Sequence, residues 1–300
     1  MKTYIKNILV IGSGVMGQSI AQFFSQQKKK GIEKVYLTDV EEKQLEKSKQ
    51  RIFDSWNVLV QKKKFTAEQM DEFKSCLTTV QLNNLTSSDY DSFDLVIEAI
   101  VEDKKCKIEL FSHIQDKLSA QCIVATNTSS LSVNELALHF DEFRRAYFLG
   151  MHFFNPATIM PLVEIIKTPF TLESIVLECT NWLTACLKQV AILDDSPGFL
   201  VNRCARNFYN ESMHIISNLD GNLTTNCLEI DSIMKEVGGF PMGPFALMDL
   251  IGLDINYKAT SQVWEDFYYH PRFAPHALQK KLVQLNNLGV KTKKGFYEYN

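Results

Sequence analysis

The sequence predicts an α/β protein in two parts: a doubly wound sheet with an inserted helical hairpin over residues 1–195, then an all-helical part over residues 196–300. Three observations carry this reading. Short apolar runs alternate with amphipathic, helix-length stretches through the first part, the rhythm of strand–helix–strand units on a parallel sheet. The interval 41–79 is much longer than the dozen or so residues a crossover needs and reads as two helices. Beyond Asp194-Asp195-Ser196-Pro197-Gly198 the strand-like runs give way to helical patterns.

In chain order, Ile8-Leu9-Val10-Ile11 is apolar and β-branched, as a strand buried on both faces should be. A glycine turn follows. Residues 15–27 then read as a helix with Met16, Ile20, Phe23 and Phe24 on one face. Residues 34–38 form a second strand ending at Asp39, and later strands are expected at 95–97, 123–125 and 146–149. The interval 41–79 holds no convincing strand; helices are expected at 41–63 and 66–76, the latter opened by a capping box from Thr66 to Gln69. The hairpin is rich in lysine, including Lys62, Lys63 and Lys64, which suits either a solvated face or a landing place for a phosphorylated ligand. In the second part helices are expected at 202–217, 225–237, 253–267 and 277–285, with a tight breaker at 238–244.

Composition narrows the function. With 45% hydrophobic and 22% charged residues among 300, the chain can bury a large core. A net charge of −3 argues against a chain-wide basic surface for nucleic acid. No apolar run approaches the roughly 18–20 residues of a membrane helix. The N-terminus lacks the apolar region of a signal peptide, so a cytoplasmic chain is expected. Seven cysteines with no CxxC pair argue against a zinc knuckle or disulfide framework and for reduced thiols; no metal site is expected.

Gly12-Ser13-Gly14-Val15-Met16-Gly17 is a G-x-G-x-x-G placed between a strand and a helix, with Asp39 closing the next strand 22 residues after Gly17. That context makes it a Rossmann-type dinucleotide fingerprint. Gly12 permits the turn, Gly14 lets the backbone approach a pyrophosphate, and Gly17 lets helix and strand pack. Asp39, with Glu41 and Glu42 near it, accepts from a ribose and repels a 2′-phosphate, which favours NAD over NADP. Asn127-Thr128-Ser129-Ser130 follows an apolar strand, where ligands bind in open α/β sheets, although helix capping would also use these residues. His152 ends another strand, and Glu164 sits 12 residues later inside the apolar run Leu162-Val163-Glu164-Ile165-Ile166. A carboxylate there needs a partner. A His152–Glu164 pair would satisfy it and make the histidine a better base; a purely structural pair fits the sequence as well.

These residues lie within a longer series of motifs: IGSGVMG, VIEAIVED, ATNTSSL, HFFNPATIMPLVEII, DSPGFLVNR, GGFPMGPFALMDLIGLD and KTKKGFYEY. In this order they resemble the L-3-hydroxyacyl-CoA dehydrogenase family, in particular its short bacterial 3-hydroxybutyryl-CoA dehydrogenases. The resemblance implies NAD-dependent interconversion of (S)-3-hydroxyacyl-CoA and 3-oxoacyl-CoA, an acyl-CoA thioester substrate, and a homodimer formed through the C-terminal part. It implies that His152 is the catalytic base, that Glu164 orients it, that Ser129 bonds the reacting oxygen beside the nicotinamide, and that Asn202 completes the pocket. Gly12, Gly14, Val15, Met16, Gly17 and Asp39 would hold the cofactor. Glu102 and Lys107 would border its ribose and nicotinamide side, Asn155 would line the substrate carbonyl region, and Lys291 would reach back towards the cofactor. Ser55 and Lys62, or Lys63 beside it, match the family's contacts to CoA. The first helix–strand connection (26–31) and the stretch 130–152 are longer than the family's usual pattern. A dehydrogenase of free hydroxy acids (L-gulonate type) and a non-catalytic NAD-binding relative are the alternatives. The charged hairpin argues against the first, and the retained polar residues against the second.

Overall fold

The computed structural model describes residues 5–300. Residues 1–4, on which part of the N-terminal reading rests, lie outside the described residues. The chain forms two units, divided between Ser196 and Pro197.

The first unit runs β1 (Asn7–Ile11), α1 (Val15–Ser25), β2 (Lys34–Asp39), α2 (Glu42–Gln61), α3 (Ala67–Cys76), β3 (Leu77–Gln81), α4 (Ser87–Ser92), β4 (Leu95–Glu98), α5 (Lys104–Ile114), β5 (Ile123–Thr126), α6 (Val133–Ala137), α7 (Glu142–Arg145), β6 (Phe148–Phe153), β7 (Leu162–Lys167), α8 (Glu173–Ala185) and β8 (Gln189–Asp194). The strands form one sheet in the order β3-β2-β1-β4-β5-β6-β7-β8. Pairing is parallel from β3 through β6. It reverses once: β7 runs antiparallel to β6, and β8 is parallel to β7. The sheet is therefore mixed rather than wholly parallel. An antiparallel pair needs no helical crossover, so the eight residues between β6 and β7 suffice.

Two expected boundaries change. A strand, β3, closes the hairpin interval where none was expected. Its Leu-Thr-Thr-Val-Gln is half-buried at every position because it lies at the sheet edge, so it lacks the apolar run of a central strand. The strand expected at 146–149 begins at Phe148, because Ala146 is still the C-cap of α7. The hairpin is built into the core. Ile52 and Trp56 of α2 and Phe73 of α3 are buried in one cluster with Val35 and Leu37 of β2. Trp56→Ala would cost about 3–5 kcal/mol by the usual measure of emptied core sites. Thr66 and Gln69 form the reciprocal capping box at the start of α3.

The second unit is helical: α9 (Val201–Ser217), α10 (Leu223–Glu236), α11 (Pro244–Ile251), α12 (Leu253–Asp266) and α13 (Ala277–Gln284). It has its own core, in which Met213, Cys227, Phe245, Met248, Leu253 and Phe296 are buried. α11 begins where a breaker was expected to end. Pro244 is its first residue, the position a helix tolerates best, and Asp231 accepts from the N–H groups of Phe245 and Ala246 at 2.9 and 2.8 Å. The C-terminal segment is held by the same kind of contact. Asp249 accepts from the N–H groups of Phe296 and Tyr297 at 3.0 Å and from the Tyr299 hydroxyl at 3.0 Å, while the Tyr297 hydroxyl donates to Asp231 at 2.8 Å. A Cβ on Gly295 would run into the Asp249 carboxylate, which accounts for glycine in GFYEY.

Candidate active site

In an open α/β sheet, ligands bind beyond the carboxyl ends of the parallel strands. The fold delivers predicted residues (Gly12, Asp39, His152) and two further polar ones (Glu98, Thr126) to that edge. Gly12 follows β1, Asp39 ends β2, Glu98 ends β4, Thr126 ends β5, and His152 lies next to last in β6. A positive φ of 101° suits Gly12 to glycine, and a Cβ on Gly17 would overlap the Gly12 carbonyl. A Cβ on Gly14 would meet nothing within 4 Å, so the backbone there is open to close approach. Gly14 is the N-cap of α1, with no side-chain cap and no acidic residue in the first turn, as an anion-binding helix start requires. Asp39 Oδ2 accepts from the Ser13 N–H and hydroxyl, both at 2.7 Å, which ties the glycine turn to the end of β2. The cradle therefore fits a dinucleotide, with Val15 exposed at its rim and Met16 half-buried.

The dyad arises from strand register. His152 and Glu164 are directly opposed in the β6–β7 ladder, and His152 Nδ1 lies 2.7 Å from Glu164 Oε2. Their side chains are 8% and 0% exposed, so the carboxylate has the partner its burial demands. The Phe154 ring lies 4.6 Å from the imidazole, centre to centre. Asn127 Oδ1 accepts from the Phe153 N–H at 2.8 Å and joins the end of β6 to the turn after β5.

That turn holds Ser129. Its N–H donates to Glu102 Oε1 at 2.8 Å, with the Thr128 hydroxyl at 2.7 Å and the Ser130 N–H at 3.1 Å on the same oxygen. The Lys107 ammonium, 1% exposed, lies between Glu102 Oε2 at 3.1 Å and Glu98 Oε1 at 2.6 Å. Burial pushes the Glu102 carboxyl up, but the Lys107 ammonium and the bonds from Thr128 and Ser129 outweigh it and hold the group below the ordinary carboxylate range. The structure thus groups Glu102, Lys107 and Ser129, and separately His152 and Glu164. Glu98 is a member that sequence reasoning missed. The signal was present: a carboxylate closing an apolar strand, the same clue that picked out Glu164.

Three further predicted positions of the first unit, at Asn155, Ser55 and Lys62 with Lys63, lie outside these two groups. Asn155 is exposed on the loop after β6. That loop is pinned at Ala157, whose N–H donates to Ser19 Oγ at 2.7 Å and whose carbonyl accepts from Lys188 Nζ at 2.5 Å. Lys188 also sits 4.0 Å over the Phe23 ring, and burial lowers its pKa. Ser55 of α2 is half-buried and accepts from Gln22 Nε2 at 2.9 Å, while Lys62 and Lys63 are exposed just past the end of α2. Asn202 and Lys291 belong to the second unit. Asn202 lies in the first turn of α9, and Lys291 pairs with Asp254 at 2.5 Å. Among the described residues no group of three His, Cys, Asp or Glu could hold a metal ion, and no helix is long and apolar enough to cross a membrane.

Comparison with known proteins places these features in context. Residues 7–196 match the family model of the 3-hydroxyacyl-CoA dehydrogenase NAD binding domain, and residues 198–299 that of the 3-hydroxyacyl-CoA dehydrogenase C-terminal domain. The chain is 38% identical to the mitochondrial hydroxyacyl-coenzyme A dehydrogenase of Homo sapiens, over 99% of this chain and 92% of the relative. It is 35% identical to the 3-hydroxybutyryl-CoA dehydrogenase of Clostridioides difficile, over 98% and 99%. Among solved structures, it is similar to the (S)-3-hydroxybutyryl-CoA dehydrogenase of Ralstonia eutropha, with a TM-score of 0.88, 30% identity and 99% of both chains covered. It also matches the 3-hydroxybutyryl-CoA dehydrogenase of Escherichia coli K12 with a TM-score of 0.90 and 32% identity, spanning 60% of that longer chain.

Proposed function

The chain belongs to the 3-hydroxyacyl-CoA dehydrogenase family, and from that premise we propose that it interconverts (S)-3-hydroxyacyl-CoA and 3-oxoacyl-CoA with NAD, 3-hydroxybutyryl-CoA being the substrate the relatives' names favour. The observation that carries this is the buried His152–Glu164 pair at the carboxyl edge of a sheet whose first turn is a dinucleotide cradle.

The dyad geometry and the family resemblance together support the following chemistry. NAD, when bound, accepts the hydride that leaves C3 of the substrate. With Nδ1 turned to Glu164, His152 takes the 3-hydroxyl proton at Nε2 and returns it in the reverse direction. Glu164 fixes the ring and stabilises its charged form. The family resemblance assigns the reacting oxygen to Ser129 and gives Asn155 and Asn202 substrate-binding roles. Gly12 to Gly17 hold the pyrophosphate, and Asp39 the adenosine ribose. Glu102 and Lys107 serve the nicotinamide side, and the resemblance gives Lys291 a cofactor-binding role. Ser55 and Lys62 or Lys63 bind CoA. The exposed Leu228 and Ile233 of α10, with Val237 just past it, support a homodimer through the second unit. The free thiols support a reducing, cytoplasmic setting.

The test is NADH oxidation with acetoacetyl-CoA, with longer 3-oxoacyl-CoA thioesters, and with free oxo acids. Turnover of the thioesters is expected. Turnover of free acids alone would overturn the proposal.

A further inference from the structure

We propose that Glu98 is a positioning residue for the nicotinamide side of the cofactor site, acting through Lys107 on Glu102 and through Glu102 on the 128–130 turn that carries Ser129. This rests on the reading of that turn given above. Glu98 is fully buried, and three elements converge on it. Oε1 accepts from Lys107 Nζ of α5 at 2.6 Å and from the Ile100 N–H at 2.8 Å, and Oε2 accepts from the Thr126 hydroxyl at the end of β5 at 2.6 Å. Both oxygens therefore have protein donors, two on Oε1 and one on Oε2, and the fully buried Glu98 has no surface to offer a ligand. Lys107 is equally enclosed, so its effect on a cofactor runs through the one partner that reaches solvent, Glu102, whose side chain is 34% exposed.

A buried ion pair is weak evidence for stability, because well-packed apolar groups often do as well. This one holds two carboxylates against a single ammonium, an arrangement of net charge −1. The charge that emerges does so at Glu102, where the 128–130 backbone and hydroxyls gather on Oε1. Without the charge on Glu98, Lys107 answers to Glu102 alone and is drawn off its seat. The Ser129 turn then loses the fixed anchor that sets its height above the sheet. Ile100 adds a second tie. Its N–H bonds Glu98, and a Cβ on Gly12 would strike Ala99 and Ile100, so the same carboxylate also braces the wall behind the glycine turn.

The experiment is a fluorescence titration with NADH on the full chain, with no acyl substrate present, beside a thermal melt. Glu98→Gln keeps the shape and removes the charge. It should raise Kd for NADH by about tenfold, the size of one lost charge-assisted hydrogen bond. Lys107→Met should do the same, and the double variant should be no worse than either single one, because the two act as a unit. Thr126→Val, a milder change on the same carboxylate, should give about a threefold rise, since it removes one neutral donor, and stands in if Glu98→Gln does not fold. A lower Tm with unchanged Kd in the folded Glu98 and Thr126 variants would make Glu98 purely structural and overturn the proposal, as would additive effects of the Glu98 and Lys107 changes. Failure of the thioester chemistry would show instead in the unmodified protein, as NADH binding without turnover of acetoacetyl-CoA.

Discussion

In the first unit the buried carboxylates of Glu98 and Glu164 each count a nitrogen base, Lys107 and His152, among their partners; in the second, those of Asp231 and Asp249 face backbone N–H groups and tyrosine hydroxyls. All four satisfy the demand that a buried acid be bonded, but they do so with different consequences. A neutral donor can only hold the chain. A base can exchange a proton or pass its charge to a neighbour. The first arrangement lies towards the carboxyl edge of the sheet, where the cofactor site is proposed, and the second clamps the C-terminal segment onto its own helices.

The largest test of this contrast is His152→Gln. Its kcat should fall by roughly 10²–10⁴-fold, the usual range for a positioned acid–base group, with little change in Kd for NADH. Glu164→Gln, which keeps a hydrogen bond but not the charge, should also lower kcat. Near-normal turnover of His152→Gln would put this pair in the same class as the second unit's clamp. Asp249→Asn is the reciprocal probe. An amide cannot accept all three donors, so the second unit should lose about 1–3 kcal/mol of stability, seen in the denaturation midpoint, while NADH affinity stays put. A weakened Kd for NADH would erase the distinction.

The hairpin comes next. Lys62→Ala with Lys63→Ala should raise KM for acetoacetyl-CoA several-fold, and far less for an N-acetylcysteamine thioester that lacks the phosphates. The loss should shrink in high salt, which screens exposed charges. An equal loss on both substrates would make the lysines supports of the fold. Asp39→Ser should narrow the preference for NADH over NADPH, measured as the ratio of kcat/KM values; an unmodified protein without that preference would contradict the assignment.

The smallest effect is in pH, and its sign differs between the units. Glu102 is held below its ordinary value of 4.5. Its contribution is complete above that pH and fades as pH falls through the lowered value. Asp249 behaves oppositely: burial raises it above its ordinary 3.8, with Asp231 adding, against the bonds from Phe296, Tyr297 and Tyr299. Its ionisation therefore costs stability as pH rises through the raised value, and acid relieves that cost. Glu102→Gln should flatten the acid limb of the stability curve below pH 4.5, whereas Asp249→Asn should remove a limb that runs the other way. Parallel shifts in the two variants would refute the contrast.

Much of this was legible in the sequence where burial leaves a pattern. The central strands, the glycine turn with Asp39, and the two helices of the hairpin all carry apolar periodicity or a motif. His152 and Glu164 could be paired in advance because a carboxylate in an apolar strand needs a partner. The edge strand β3 was hidden because its half-exposed Leu-Thr-Thr-Val-Gln does not make an apolar run; β8 was not expected although Val190 to Leu193 is such a run. The reversal at β7 was hidden because hydrophobic pattern does not depend on strand direction. The start of α11 was masked by Pro244, read as a breaker rather than as a first helical residue. The three-way tie at Glu98 depends on β4, β5 and α5 lying side by side, which only the folded chain reveals.

The β6–β7 register has one more consequence. Side chains alternate faces along a strand, so a slip by a single position would send His152 and Glu164 to opposite sides of the sheet. The pair proposed for acid–base work is thus written into the same ladder that holds β7 and β8 to the rest of the unit. The exposed loop at Asn155 lies outside that ladder, and the backbone amides around His152 and Glu164 should exchange with solvent deuterium on the timescale of global opening. Catalytic competence and folded structure in this unit should therefore disappear together on heating, with no range of temperature in which the sheet survives and the dyad does not.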